Sequence, residues 1–482
     1  MAGPTDLGTL NSLVSGDAWS TEFINNVLFM PLLRLNPDLT YAPYLAESWR
    51  MIGDTVVVFR IRRDVFWHDG KKTTAHDVVF TFERIKDEET GFTNSEFFDN
   101  WESAQAADSF TVRFRIKPHV EPLIGWALTA VMPKHLLDSI PSARMRQAAF
   151  NRAPVGNGPF RFVSGRTNDR WIFEANKNFP RALGGRPRLD RVVWRPIPDN
   201  NAQLTELRTG GIDIGTAIRA EQAKALALEG GYRLLLRQSN RYHMISWSAK
   251  HAPLNDARVR RALSMGINRQ QIITVLRGGF AQIAVSPIPP SHWAYDKKVT
   301  PLTYDPAGAR RLLAQAGYPN GFEIELLIAA NNAFNRDLGE MVRSDLAKIG
   351  VTVKTRPLDF AAMIQTIGAK ERNYDGAFLT FNTDLRLGFT DTFHSKNIDG
   401  PYQFASYANP QLDKLLDRAN VVTNRAEATR IWSQVQKILR DDQPWTFLWW
   451  APEILVARDR VQGVTVDVRG ALRSLPLWWV RN

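Results

Sequence analysis

Cysteine is missing from all 482 residues. That excludes disulfides, thiolate metal sites and cysteine nucleophiles, while leaving the redox compartment open. Long apolar runs are missing too: nothing approaches the roughly 18 consecutive apolar residues of a membrane span. The most apolar segment, "PWTFLWWAPEILV" from Pro444, is short, contains Glu453 and reads as core strand. The first residues, "MAGPTDLGTL", show no basic region followed by an apolar one, so no signal peptide is expected here and a trimmed exported protein fits. Acidic residues are the minority charge, 49 against 61 Lys and Arg, for a net charge of +12. Such an excess suits nucleic acid or an anionic surface. The basic clusters are brief, however: "RIRR" from Arg60 and "RVRR" from Arg258 lie inside alternating or helical apolar patterns, as solvated faces do. With no basic stripe interleaved with stacking aromatics, nucleic acid is not an expected partner.

Catalytic and cofactor motifs are equally scarce. The eight histidines, His68, His76, His119, His135, His243, His251, His292 and His394, are dispersed and form no H-E-x-x-H. There is no G-x-S-x-G elbow and no G-x-G-x-x-G. "GKKT" at Gly70 lacks the upstream glycine of a phosphate loop, since Val65 stands there. No cofactor and no metal site is expected. The densest chemistry, "VFWHDGKKTTAHDVVF" from Val65, carries two His-Asp pairs. Asp69-Gly70 is turn chemistry, and Asp77, three residues after Thr74, suits a capping box. Both pairs therefore read as scaffold.

What is present is an ordinary globular balance, 44% hydrophobic and 23% charged, in a chain long enough for two or three lobes. In "TVVVFRIR", Thr55, Val57, Phe59 and Ile61 alternate with the arginines. In "FTVRFRI", Phe110, Val112, Phe114 and Ile116 do the same. Between them a helix opens at Thr74, with Val78, Phe82 and Ile85 at helical spacing. "APVGNGPFRF" is a Gly-Pro-punctuated boundary. "RVVWRPI" reads as a strand, and "AQLTELRTGGIDIG" as a helix closed by Gly210-Gly211 before a short strand. "FEIELLIAA", a helix through "MVRSDLAKIG", and "VTVKTRPL" make a β-α-β unit, and "YDGAFLTF" adds a strand. The fold class is α/β in several lobes.

The segment "APYLAESWRMIGDTVVVFRIRRDVFWHDGKKTTAHDVVFTF" closely resembles the signature of family 5 extracellular solute-binding proteins, the dipeptide-, oligopeptide- and nickel-type receptors of ABC importers. The matches are Leu45 to Trp49, Trp67 to Lys71, and Ala75 with Asp77 to Phe80. "PVGNGPFRF", "GGIDI", "PLNDARVRRALSMGINRQQI" and "YANPQLDKLLDRA" resemble further family elements in the family's order and extend the match over nearly the whole chain. The resemblance implies a periplasmic-binding-protein type II fold, with two lobes around a ligand cleft plus an extra α/β subdomain. Lobe I would comprise 1–40, 156–245 and 455–482, lobe II 41–155, and lobe III 246–454. Ligand would be enclosed between lobes I and III by hinge closure. The family's first strand is not evident before "GPTDLGTLNSL", which predicts an exposed sheet edge in lobe I.

The same resemblance implies a non-catalytic, monomeric receptor, periplasmic or otherwise extracytoplasmic and membrane-associated through its transporter. It would bring a peptide or peptide-like solute to ABC permease transmembrane subunits. The rivals are an oligosaccharide, an opine-like compound or a nickel chelate held by His243 or His394, and, in another class, an enzyme on this scaffold. In dipeptide-type relatives a Trp-x-x-Asp element binds the ligand's ammonium. Phe381 and Asp384 of "YDGAFLTFNTD" stand at those positions, although Asp384 also suits an Asx turn. The arginine that clamps a ligand carboxylate near the end of "FEIELLIAANN" is replaced by Ala329, Ala330, Asn331 and Asn332. Free C-termini are therefore expected to be read loosely. Trp247, Phe23, Asn25, Asn331 and Arg386 complete the expected ligand-binding set.

Overall fold

The structure is a computed structural model that describes residues 1–330, 333–383 and 385–481. Its contacts divide the chain into two compact units, Met1–Arg237 with Glu453–Asn482, and Gln238–Pro452.

The first unit is built on a seven-stranded sheet. Its order is Tyr232–Arg237 (β12), Glu453–Arg458 (β19), Ile214–Gly215 (β11), Ala2–Gly3 (β1), Arg191–Pro196 (β10), Arg170–Ala175 (β9) and Phe160–Arg166 (β8). The expectation of a missing first strand is corrected by β1. Ala2 pairs in parallel with both Arg195 and Gly215, so these two residues fill the slot between β10 and β11. Gly3 is required there, because a Cβ would lie 2.0 Å from the Trp194 ring.

A separate four-stranded sheet in this unit runs Ala46–Ile52 (β4), Val56–Ile61 (β5), Thr111–Ile116 (β7) and Trp101–Asp108 (β6). The alternation is as expected: Val57, Phe59, Ile61, Val112, Phe114 and Ile116 are buried, while Arg60, Arg113 and Arg115 are exposed. Phe114 sits at the centre of this core, with ring centroids of Trp101, Trp126, Phe82 and Phe59 at 4.8, 5.3, 5.5 and 5.9 Å. The helix Ala75–Lys86 covers it, with Val78, Phe82 and Ile85 buried. Leu33–Leu35 (β2) and Tyr41–Pro43 (β3) form a short hairpin of their own.

The second unit holds a six-stranded mixed sheet: Gln282–Ile283 (β14), Trp445–Trp450 (β18), Arg241–Trp247 (β13), Gly376–Asn382 (β17), Phe322–Ala329 (β15) and Val351–Leu358 (β16). β15 and β16 are parallel and joined by the helix Ala333–Ala347, the β-α-β unit the sequence predicts. Helical residues Val259, Leu263, Ile272, Leu313, Leu338, Val342 and Leu346 pack on Ile324, Leu326 and Ile328 of β15. All six residues of β18 are buried, as its apolar run requires.

The chain leaves the first unit after Arg237, not after residue 245. The reason is that β13 hydrogen-bonds β17 on one edge and β18 on the other, so it is a central strand of the second sheet. Residues 41–155 fall within the first unit, where they supply the separate four-stranded sheet. Among the described residues no helix is long and apolar enough to cross a membrane.

Candidate ligand-binding site

The register of the second sheet sorts its aromatics. Tyr242 lies opposite Phe381 and Trp450, Met244 opposite Leu379 and Phe447, and Ser246 opposite Ala377 and Trp445. Because side chains alternate along a strand, these residues share one face, and His243 and Trp247 take the other. Phe381 is half-buried at the end of β17. Its ring centroid is 5.7 Å from Trp445, 6.1 Å from Tyr242 and 6.3 Å from Phe404, and Trp450 stands 5.0 Å from Tyr242. These spacings suit tilted and edge contacts, which leave Phe381 as the partly open member of an otherwise buried aromatic platform.

The backbone beyond Phe381 is well held. The Thr383 N–H donates to Asn240 O at 2.9 Å, and its hydroxyl donates to Pro287 O. Across position 384, the Leu385 carbonyl bonds His292 Nε2 at 3.1 Å. Burial lowers the His292 pKa to about 4, so this imidazole is neutral and donates from Nε2. Asp384 and Asn331, both expected in the site, lie outside the described residues. Arg386 is half-buried between the buried Leu385 and Leu387.

The remaining expected residues are placed inside packed regions. Trp247 is fully buried; its indole N–H donates to Thr446 Oγ1 at 2.9 Å and its ring packs on Gly376. It belongs to the core under the helices. Phe23 is likewise buried in the first unit, stacked on Phe173 at 4.8 Å and edge-on to Trp194 at 5.4 Å. Asn25 sits in a π-helical turn, Ile24–Leu28, where its amide donates to Leu128 O at 2.7 Å and its Oδ1 is buried without a partner among the described residues.

The His-Asp pairs are scaffold. Gly156 N–H donates to His68 Nδ1 at 3.2 Å, and His68 Nε2 lies 3.1 Å from Gly158 O. One neutral imidazole thus clasps both ends of the Gly-Asn-Gly crossing. Burial is the main reason its pKa falls, to about 4. Asp69 pairs with His135 at 2.7 Å. Asp77 accepts the N–H groups of Thr74 at 2.8 Å and Lys134 at 2.9 Å, while His76 is exposed in the helix's first turn.

His243 packs among Phe334, Phe378 and Trp449 and meets Thr380 Oγ1 at 3.0 Å; burial, with Arg277 and Arg241, lowers its pKa to about 3. His394 Nδ1 accepts the Lys396 N–H at 3.1 Å. Among the described residues no group of three His, Asp or Glu side chains is placed to hold a metal ion.

Two buried charge centres escape sequence reasoning. Arg372, 1% exposed, donates to Ala369 O at 2.6 Å, Gly400 O at 2.7 Å and Gln403 O at 3.1 Å, fixing the segment that delivers Phe404 to the platform. In the first unit, Arg237 bonds Glu453 through Nε at 3.0 Å and Glu22 through Nη1 at 3.3 Å. Glu22 also accepts the N–H groups of Ala471 and Leu472. Burial raises the Glu22 carboxyl above its ordinary range, against the pull of Arg237. Neither set has a local signal that marks it as buried, because Gly400 and Gln403 in the one, and Glu22 and Glu453 in the other, come from distant segments.

A mixed α/β chain in two units, with an aromatic platform beside a tethered loop, is equipped to hold a solute by contact and stacking. The chain belongs to the bacterial extracellular solute-binding proteins, family 5, whose middle region matches residues 40–397. The oligopeptide-binding protein AppA of Bacillus subtilis is 28% identical over 98% of this chain and 89% of its own length. The glutathione-binding protein GsiB of Pectobacterium atrosepticum is 30% identical over 91% of this chain and 85% of its own. The solved structure of Bacillus subtilis AppA with a nonapeptide superposes with a TM-score of 0.79 at 27% identity, covering 100% of this chain and 98% of that one. The fold is that of the type II periplasmic-binding proteins.

Proposed function

We propose that this protein is the extracytoplasmic receptor of an ABC importer, which captures a peptide or peptide-like solute and hands it to the transmembrane subunits of the permease. It works as a non-catalytic binder: selection rests on contact, stacking and charge pairing. The observation that carries the reading is the likeness, over essentially the whole chain, to a receptor solved with a nonapeptide. A relative that binds glutathione, itself a small peptide, supports the same ligand class. On this reading Phe381, half-open above Tyr242 and Trp445, stacks on an apolar part of the ligand. Asp384 pairs with the ligand's ammonium, a charge-assisted contact that fixes one end of a peptide. Arg386 and Asn331 stand as further contacts.

Native mass spectrometry of freshly purified protein, followed by denaturing release, tests the proposal. A ladder of masses resolving into short peptides is expected, and Asp384→Ala should thin it. A released sugar, opine-like compound or nickel chelate would overturn the peptide assignment. Turnover of added peptide would overturn the non-catalytic one.

A further inference from the structure

In the first unit three guanidinium groups converge on the β2–β3 hairpin with little to neutralise them. The Arg34 guanidinium carbon lies 3.4 Å from the centroid of the Tyr44 ring, and that of Arg473 lies 6.0 Å from the same ring. Arg469 and Arg473 both reach the Leu35 carbonyl, at 3.3 and 3.5 Å. The carboxylate within this group, Asp467, is engaged by Arg469 through Nε at 2.9 Å and Nη2 at 2.5 Å. Arg34 and Arg473 therefore both lie against the Tyr44 ring; Arg473 shares the field of Asp467 with Arg469, and Arg34 makes no ion pair with a carboxylate among the described residues.

Two polar atoms at this place are buried and unsatisfied. Tyr44 is 0% exposed, and its hydroxyl has no hydrogen-bond partner among the described residues; the same holds for Arg34 Nε. Leaving a buried donor without a partner is costly, and more so when the group is charged. Like charges brought together out of water add to that cost unless a counter-charge joins them. Burial first and the neighbouring Arg34 second lower the Arg473 pKa to about 9, against the opposing pull of Tyr44 and Asp467. A guanidinium presents paired N–H groups in a plane that matches the oxygens of a carboxylate or phosphate, and a buried phenol adds one more donor.

We propose that Arg34, Tyr44 and Arg473 form an oxyanion-binding site in the first unit, taking a carboxylate or phosphate group. Stacking on Tyr44 holds the Arg34 guanidinium in place, and Arg469, paired with Asp467, shares the Leu35 carbonyl with Arg473. This goes beyond the peptide reading, because it requires an anionic group on whatever binds and needs no ammonium.

The test uses the full chain at constant ionic strength, with thermal unfolding and calorimetric titration as readouts. Three probes are compared: N-acetylglycine, which has a carboxylate and no ammonium; N-acetylglycinamide, the same body without the charge; and inorganic phosphate. At least one of the two anions should raise the unfolding midpoint, and N-acetylglycinamide should not. Which anion acts identifies the source of the oxyanion. Arg34→Met and Arg473→Met should each weaken anion binding tenfold or more. Without anion, Arg473→Met should leave the midpoint unchanged or raise it, since it relieves repulsion, whereas a purely structural arginine would lower it. Tyr44→Phe keeps the stacking surface and should weaken binding without unfolding the protein. The inference is overturned if neither anion acts on the wild type, or if both Arg34→Met and Arg473→Met retain the full response. Because no probe carries an ammonium, the result is independent of whether peptides bind at Asp384.

Discussion

Replacing His68 by glutamine and acidifying the protein tests the clasp on the Gly156–Gly158 crossing. At pH 7 the imidazole is neutral in the folded and unfolded states, so it contributes no pH dependence there. Below the ordinary histidine pKa of about 6.5 the unfolded chain takes up a proton. The folded protein refuses it until about pH 4, since protonation at Nδ1 would destroy the acceptor that Gly156 N–H uses and place a charge in a desolvated site. Stability is therefore full above pH 6.5 and is lost as the pH falls from 6.5 towards 4. At pH 5 the gap of about 1.5 pH units between solution and unfolded pKa corresponds to about 2 kcal/mol, approaching about 3 kcal/mol at pH 4. Glutamine can keep one donor and one acceptor but does not titrate. Urea unfolding at pH 7 and pH 5 should therefore show the wild type losing about 2 kcal/mol more than His68→Gln over that interval. Carbon-13 NMR of labelled histidines provides a direct check. If the two proteins lose equal stability, or if the His68 resonance titrates near 6.5, the clasp as described is wrong.

The other two predictions concern the second unit. Arg372→Met should destabilise it by about 3–5 kcal/mol, because the Ala369, Gly400 and Gln403 carbonyls lose a charged buried donor; urea unfolding followed unit by unit should leave the first unit unchanged. Trp247→Ala should cost about 3–5 kcal/mol through the cavity opened against Gly376 and the loss of the bond to Thr446, while the peptide affinity of the folded fraction stays within twofold of wild type. A fall in affinity without a loss of stability would return Trp247 to the ligand site.

What the sequence makes legible is whatever repeats within a few residues. β5 and β7 alternate over six residues each, so their buried faces could be read directly, and the cap at Asp77 is a three-residue pattern. β1 is only two residues long and has no period to read; its place is decided by β10 and β11, some two hundred residues away along the chain. β13 shows a different limit. A central strand covered on both faces carries large apolar side chains on each, so Tyr242 and Trp247 look alike in sequence. Only the register against β17 and β18 puts Tyr242 with Phe381 and Trp247 under the helices. Arg372 sits in "ERNYDG", a stretch that reads as a solvated turn, and is buried because a left-handed residue (φ +50) turns the chain and distant carbonyls converge on it. Arg34 and Arg473 come from opposite ends of the chain, where each looks like a surface arginine. Their chemistry exists only after folding has placed both guanidiniums around Tyr44 and taken water away. Local pattern thus recovers the scaffold of such a receptor. What distinguishes one receptor's ligand from another's depends on charges and rings brought together by long-range pairing, and so has to be argued from the folded chain.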